Sequence, residues 1–270
     1  MKEYVELSTL QVAAAASLII VNAAISLALR LRLERSLLIA GVRTILQLLL
    51  VGLVLHWVFQ VEAIIVVVAM LAIMTGIAGY TAFTQSAHAY TGMFVDTMVA
   101  VWASSWFVLA FAMFVVLQGA RSWHDPQYAI PLLGMILGNT LNGITLGLSG
   151  VLDGFRSGRD QIETLLTLGA TRWEAAREPI RKALTTATTP IINSMMVVGI
   201  VSLPGMMTGQ LLSGVEPMQA VKYQIVIMFL IASATALGSV GIVLLAYRRL
   251  FSAQHQFHYD AIRGRKTERR

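Results

Sequence analysis

Hydrophobic residues are gathered into seven long stretches of this chain that contain no Asp, Glu, Lys or Arg. These stretches cover residues 7–29, 44–61, 63–95, 97–120, 126–152, 183–215 and 223–247. A helix needs about 20 predominantly apolar residues to cross the hydrocarbon core of a bilayer, so each stretch is near or above that length. The pattern predicts an all-α membrane protein with seven transmembrane helices.

The stretch over residues 183–215 is too long for one upright helix and too short for two. Two crossings would also reverse the last span, so one span with an irregular extension is the better interpretation. Pro204 removes a backbone amide and Gly205 is conformationally permissive, which predicts a helix break near Leu203. Irregular backbone at membrane depth needs protein or water around it. We therefore expect Pro204, Gly205 and Gly209 to lie beside a pathway and not against lipid.

The loop between the fifth and sixth stretches has the pattern of two consecutive helices. Apolar residues at helical spacing predict a short first helix over residues 160–168, about 13 Å long at about 1.5 Å per residue. Gly169 can end it in the left-handed conformation, and Thr171 with Glu174 fits a capping box for the second helix. The first helix is too short to span a membrane and is expected to lie along its inner surface.

The composition and the distribution of charge support a membrane protein of one orientation. Apolar residue types make up 57% of the 270 residues and charged types 13%. With the N-terminus outside and the C-terminus cytoplasmic, 17 of the 20 Lys and Arg residues fall on the inner side. The net charge of +6 therefore reflects topology and not a nucleic-acid partner. The chain divides into a transmembrane domain over residues 1–250, with a loop at 153–182, and a basic cytoplasmic tail at 251–270.

Two regions resemble a known family of transport proteins. In the loop, Glu163, Gly169 and Ile180 resemble the coupling loop of ABC transporter permeases, although Thr164 and Leu165 replace two alanines. Residues 198–224, VGIVSLPGMMTGQLLSGVEPMQAVKYQ, resemble the signature of the FetB-type permease family, the membrane partner in bacterial iron-export ABC transporters. That family includes the plant half-transporter linked to aluminium tolerance. Further similar positions are Arg43, Gln47, Gly134, Met135, Gly138 and Asn139.

The resemblance implies a transport subunit, not an enzyme, in the bacterial inner membrane. It implies a permease homodimer that exports metal ions, with iron as the substrate, and a separate cytoplasmic ATPase. The chain contains no Gly-Lys pair and therefore no phosphate-binding GxxxxGK[ST] loop, so no cofactor is bound directly and ATP acts through the partner subunit. The residues expected to couple the permease to the ATPase are Asp160, Ile162, Glu163, Leu165, Leu166, Gly169 and Thr171. Of these, Ile162, Leu165 and Leu166 form the apolar stripe expected to enter a groove of the ATPase.

Polar and sulfur-containing residues around the predicted helix break are candidate metal ligands. They are Met206, Met207, Met196, Glu216, Gln210 and Asn193. Thioethers suit soft ions such as Cu(I), whereas iron prefers imidazole and carboxylate, so iron as substrate rests on the resemblance. The methionines could instead be flexible packing residues, and Glu216 could be a solvated loop residue.

Other polar and small residues in the stretches have structural interpretations. Arg43 either extends its side chain to the inner surface or pairs with a carboxylate such as Asp96. Asn139 is costly in lipid and should face protein, and Gly134 with Gly138 is typical of a helix-packing face.

Two alternative functions meet chemical objections in the sequence. Residues 147–150, GLSG, resemble the nucleophile motif of intramembrane serine proteases, but no later span contains a histidine that could activate Ser149. Lys222 near the last span suggests a retinal-type seven-helix protein, but it lies at the outer end of that span and a counter-ion within a span is hard to find.

Overall fold

The computed structural model describes residues 8–61, 63–117 and 125–264, and these residues are almost entirely helical. The α-helices are α1 Thr9–Ala28, α2 Glu34–Val61, α3 Ile64–Gln85, α4 Met93–Phe111, α5 Pro126–Ser157, α6 Arg159–Thr167, α7 Arg172–Val197, α8 Gly205–Leu212 and α9 Pro217–Leu250. A π-helical turn, Ala112–Val116, extends α4, and a 3₁₀ turn covers Tyr259–Ala261. Strands β1 His88–Ala89 and β2 Arg263–Gly264 pair in antiparallel fashion.

Six helices in the described ranges are long and apolar enough to cross a membrane: α1, α2, α3, α4 with its π-helical turn, α5 and α9. The prediction of an all-α, multi-pass membrane protein is therefore confirmed. Helix α7, which begins the sixth predicted crossing, is not among the six. All its charged residues lie between positions 172 and 182, and threonine, serine and asparagine are frequent in the remainder.

The chain separates into two compact units. The first contains α1 and α2, which are joined by a tight turn. In that turn the Leu33 amide donates a hydrogen bond to Ser26 Oγ (3.0 Å), and the Ser26 hydroxyl donates to Glu34 Oε2 (3.1 Å). The second unit contains α3 to α9 and both strands.

Helix α5 is the centre of the second unit and packs against α3, α4, α7 and α9. Close approach to α7 and α9 is possible because one face of α5 consists of glycines, namely Gly143, Gly147, Gly150 and Gly154. A Cβ built on Gly143 would lie 2.5 Å from Thr235 Cγ2 of α9, and one on Gly150 would lie 3.3 Å from Ala183 Cα of α7. Small residues at such positions let helix backbones approach closely within a membrane.

This glycine face lies further along α5 than the sequence indicated. A Cβ on Gly138 would meet no atom within 4 Å in the described residues, and one on Gly134 would meet only Met74 Cε at 3.5 Å. Gly147 and Gly150 flank Ser149, so the GLSG sequence is explained by helix packing inside α5.

An ion pair joins the start of α4 to the end of α9. Arg249 donates from Nη2 to Asp96 Oδ1 (3.1 Å) and from Nε to Asp96 Oδ2 (3.2 Å), and the Tyr90 hydroxyl donates to the same carboxylate (3.0 Å). Burial and the neighbouring Asp96 charge raise the pKa of Tyr90, so its hydroxyl stays a donor. The sequence leaves Asp96 open as a partner for Arg43. In the structure, Asp96 pairs with Arg249. Gly92, with φ +91°, accommodates the guanidinium, since a Cβ there would lie 3.1 Å from Arg249 Cζ.

We expect Asp96→Asn to destabilise the second unit, because Arg249 would lose its counter-charge. The Arg249 side chain is 51% exposed and that of Asp96 is 5% exposed, so the loss of stability should lie between that of a surface pair and that of a buried pair. The measurement is thermal unfolding in detergent. Glu178→Gln, which breaks the exposed pair with Arg181 (3.0 Å), is the control and should change the unfolding midpoint little. Equal midpoints for the two variants would contradict a structural role for the Asp96 pair.

Candidate functional site

A short helix is fixed between two long ones by local capping chemistry. Helix α6 ends at Thr167, and Gly169, two residues later, has φ +90°. Thr171 then caps α7: its hydroxyl oxygen accepts from the Glu174 amide (3.3 Å), and Glu174 Oε2 accepts from the Thr171 amide (2.8 Å). These hydrogen bonds from Thr171 lower the pKa of Glu174. The predicted short helix, its glycine stop and the capping box are confirmed.

The apolar stripe of α6 faces the protein itself. Ile162 is 1% exposed and packs inside the second unit, so in this structure the chain itself covers its side chain. Leu165 and Leu166 are half-buried. An amphipathic pattern shows that one face of a helix is covered, but it does not identify the covering element. Here α7 and the end of α5 pack on the apolar face of α6.

The surface that α6 presents outward is mixed in character. Asp160 and Thr164 are exposed, and Leu168 at the end of the helix is 79% exposed. Glu163 is half-buried and accepts a hydrogen bond from Arg159 Nε at 2.7 Å. Asp160, Thr164 and Leu168 form an exposed edge, which is one part of the surface that a partner could contact.

The segment after α9 holds α6 and α7 in place. Arg172 donates from Nη1 to the Ser252 carbonyl (3.1 Å) and from its amide to His255 Nδ1 (2.9 Å). The Arg159 guanidinium lies 4.3 Å from the centre of the Tyr259 ring. Residues 251–264 are thus a folded part of this end of the bundle, while the rest of the predicted tail lies outside the described residues. The signal that sequence reasoning overlooked is the aromatic spacing in this segment, since Phe251 and Phe257 stack at 4.8 Å.

The predicted break in the sixth hydrophobic stretch is present but begins earlier than Leu203. Helix α7 ends at Val197, and Gly199 adopts φ +82°. Pro204 is extended and serves as the N-cap residue of α8, which begins at Gly205. The left-handed glycine ends the helix before the proline is reached.

Two cavities flank this break. One has a volume of about 410 Å³ and the other about 320 Å³, and Val198, Gln224 and Met228 line both. Met195 and Met207 line only the larger cavity. The smaller one is also lined by Met135, Asn139, Ser194, Ser202, Pro204, Gly205 and Met206. We call the two together the break cavities; five of the chain's 13 methionines line them.

Gln224 is the most unusual polar residue of the break cavities. It is 6% exposed, and its Oε1 accepts no hydrogen bond from the described residues. Asn139, in contrast, has a hydrogen bond, since its side-chain amide donates to the Met135 carbonyl at 3.0 Å. Leaving a buried acceptor unpaired costs about 1–3 kcal/mol. The cavities combine this acceptor with thioethers, a donor set without charge.

The candidate ligands from the sequence separate into two groups. Met206, Met207, Pro204 and Gly205 line the break cavities. Met196, Asn193 and Gly209 are exposed, whereas Gln210 is half-buried with an unpaired Oε1 and lines neither cavity. Glu216 has a structural role, since its carboxylate accepts from the Met218 and Gln219 amides and caps α9.

Within the described residues, no group of three or more His, Asp or Glu side chains could hold a metal ion. Lys222, the residue considered for a retinal linkage, is exposed near the start of α9. Sequence reasoning missed Gln224 and Met228. The available signal was a glutamine at the second position of the stretch over residues 223–247.

Comparison with known proteins matches residues 9–251 to the uncharacterised protein family UPF0014. A UPF0014 membrane protein of Synechocystis sp. is 41% identical over 226 residues, 84% of this chain and 86% of the relative. The "Probable iron export permease protein FetB" of Escherichia coli K12 is 32% identical over 244 residues, 90% of this chain and 92% of FetB. "Protein ALUMINUM SENSITIVE 3" of Arabidopsis thaliana is 30% identical over 246 residues, 90% and 88% of the two chains. No solved structure matches.

Proposed function

Because the chain belongs to the UPF0014 family of membrane proteins, we propose that it is the permease subunit of an ABC transporter that exports metal ions across the bacterial inner membrane. The observation that carries the proposal is α6, a nine-residue helix that packs on α7 and has an exposed outward edge, in a chain without a nucleotide-binding loop. Iron is the proposed substrate because the FetB relative is named an iron export permease.

The partner of α6 is a cytoplasmic ATPase that supplies the free energy of ATP hydrolysis. Its groove receives the exposed edge formed by Asp160, Thr164 and Leu168, since the stripe that includes Ile162 is occupied by the permease itself. Arg172 of α7 and Arg159 of α6 both contact residues 251–264, so a displacement of α6 is transmitted to α7 as a rigid movement.

Seven crossings and a cytoplasmic C-terminus complete the proposed topology. The uncharged part of α7, residues 183–197, is about 22 Å long at about 1.5 Å per residue, short of the roughly 30 Å hydrocarbon core. The irregular residues 198–204 and α8 extend this crossing. The N-terminus then lies outside, and α6 lies with the basic residues on the cytoplasmic side.

The metal ion passes the break cavities during export. Met206, Met207 and Gln224 supply thioether and carbonyl donors there, and Gln210 adds a further unpaired carbonyl oxygen nearby in sequence. Irregular backbone at membrane depth is typical of sites that bind and release a substrate. Two permeases form the complete pathway, each with its own α6.

Inserting one glycine between Thr164 and Leu165 tests the coupling role. The insertion turns the exposed edge away from its position, so we expect ATP-driven iron transport and stimulation of the ATPase by the permease to fall several-fold. The measurement uses proteoliposomes that contain the permease and the ATPase encoded with it. A glycine inserted after Gly214, in the exposed turn before α9, is the matched control and should leave coupling unchanged. Full coupled transport by the α6 insertion would contradict the proposal.

A further inference from the structure

The exposed side of α7 has a composition unlike that of the other long helices. Beyond its last charge at Lys182, the exposed residues include Thr185, Thr186, Thr189 and Asn193, which we call the threonine face. The opposite side of the same helix, Ala183, Ala187 and Ile191, is buried. The polar residues therefore point away from the rest of the second unit.

The threonine hydroxyl groups of this face already donate hydrogen bonds to backbone carbonyls of α7. Thr185 Oγ1 donates to the Arg181 carbonyl (3.0 Å), Thr186 Oγ1 to the Lys182 carbonyl (3.0 Å) and Thr189 Oγ1 to the Thr185 carbonyl (2.7 Å). Each hydroxyl oxygen keeps lone pairs that can accept further hydrogen bonds. Pro190 has no amide, so the Thr186 carbonyl four residues earlier also lacks its helical partner. The threonine face is thus mainly a row of hydrogen-bond acceptors.

Lipid hydrocarbon is an unfavourable environment for the hydrogen-bond acceptors of the threonine face. Polar side chains in transmembrane segments usually face a bundle interior or a water-filled cavity, because hydrocarbon cannot solvate them. The exposed residues of α9 away from the break cavities show the contrast, since they include Leu237 and Val240. Toward its C-terminal end α7 also exposes Ile192, Met196 and Val197, so the polar part of its outward face is concentrated in residues 185–189.

We propose that the threonine face lines a water-filled pathway between two copies of this chain and carries a hydrated cation. The inference deepens the proposed function, because it requires α7 to cross the membrane in a paired permease. Acceptor oxygens without a formal charge favour the water shell of a cation over that of an anion and hold it weakly enough for release.

A second copy is the occupant that fits this surface. Residues 183–197 carry no charge, so two identical faces related by a twofold axis meet without repulsion between like charges. Short threonine side chains also permit the close approach of two helices. One copy supplies a single wall, so the pathway is incomplete without the partner.

The absence of cysteine from the chain allows a direct test with single-cysteine variants. Thr189→Cys is compared with Leu237→Cys, which lies on the exposed apolar side of α9 and lines neither break cavity. Each full-length variant is produced with its ATPase in membranes, oxidised with copper phenanthroline and separately treated with a charged, membrane-impermeant thiol reagent. We expect Thr189→Cys to form a covalent dimer and to react with the reagent at least tenfold faster than Leu237→Cys.

The two readouts separate the possible failures. A dimer without labelling would show a dry interface and overturn the pathway, and labelling without a dimer would overturn the second copy as the opposite wall. If neither occurs, the face is covered by another segment and the inference is wrong. If Thr189→Cys gives a labelled dimer while the unsubstituted permease shows no ATP-driven metal transport, the paired pathway is upheld and the proposed function is overturned. Thr189→Val keeps the side-chain shape and should dimerise normally while slowing transport several-fold.

Discussion

Gly143→Leu is expected to leave little folded protein, because the side chain would occupy space already filled by α9. A Cβ alone would lie 2.5 Å from Thr235 Cγ2 and 2.7 Å from Ser239 Oγ. Thr235 is β-branched and cannot easily rotate away, so the helices must separate. The contact is reciprocal, since a Cβ on Gly238 of α9 would lie 2.8 Å from Thr140 Cγ2 of α5. Overpacking of this kind costs about 3 kcal/mol or more.

The measurement is the yield of monodisperse protein in size-exclusion chromatography, followed by thermal unfolding of whatever is recovered. Gly138→Leu is the matched control, because it lies in the same helix and its Cβ would meet nothing within 4 Å in the described residues. We expect the control to be produced near wild-type levels. Comparable yields for both variants would show that the close packing of α5 and α9 is not needed for folding.

Features of the fold that depend on neighbouring residues were predictable from the sequence. Apolar stretches indicate membrane-spanning helices because the hydrocarbon core favours apolar side chains along the whole length of a crossing. The Thr171 and Glu174 cap is set by residues three positions apart, and Gly169 stops α6 through its own backbone freedom. The break after α7 was also predictable, but its start at Val197 was not, because the left-handed Gly199 acts before Pro204.

Contacts between distant parts of the chain were not predictable in the same way. Asp96 and Arg249 are 153 positions apart, and nothing local distinguishes Arg249 from Arg248 as the partner. The choice between glycine faces on α5 depends on where α7 and α9 lie, so the sequence pointed to Gly138 and the structure to Gly143. For α6, periodicity identified Ile162 as a contact residue but could not tell a partner protein from the chain's own helices.

The lining of the break cavities was predictable from the sequence in part. Met206 and Met207 follow Pro204 directly, so the proline that predicted the break also identified them. Gln224 and Met228 come from α9 and reach the same space through tertiary packing. Thus the sequence located one side of the candidate site, and the structure adds the other.

We expect Gln224→Leu to reduce ATP-driven metal transport about 30-fold without reducing stability. A hydrogen bond or metal contact to its carbonyl is worth about 2 kcal/mol when the alternative is a buried unpaired acceptor, which corresponds to about 30-fold in rate or affinity. Since Oε1 accepts no hydrogen bond from the described residues, leucine removes a desolvation cost and loses no such bond. The unfolding midpoint in detergent should therefore stay the same or rise, a combination typical of residues kept for function.

Transport is measured as iron uptake into inside-out vesicles, and stability is measured on the same preparations. Met228→Leu, which removes a thioether that lines both break cavities, should also slow transport, whereas Met218→Leu on the exposed first turn of α9 should not. If Gln224→Leu transports normally, the substrate does not use this carbonyl. If it instead unfolds at a lower temperature, Gln224 is a structural residue. A rise in stability with lost transport would place the substrate at the boundary between α9 and the broken crossing, where an unpaired oxygen is tolerated because the transported ion completes its coordination.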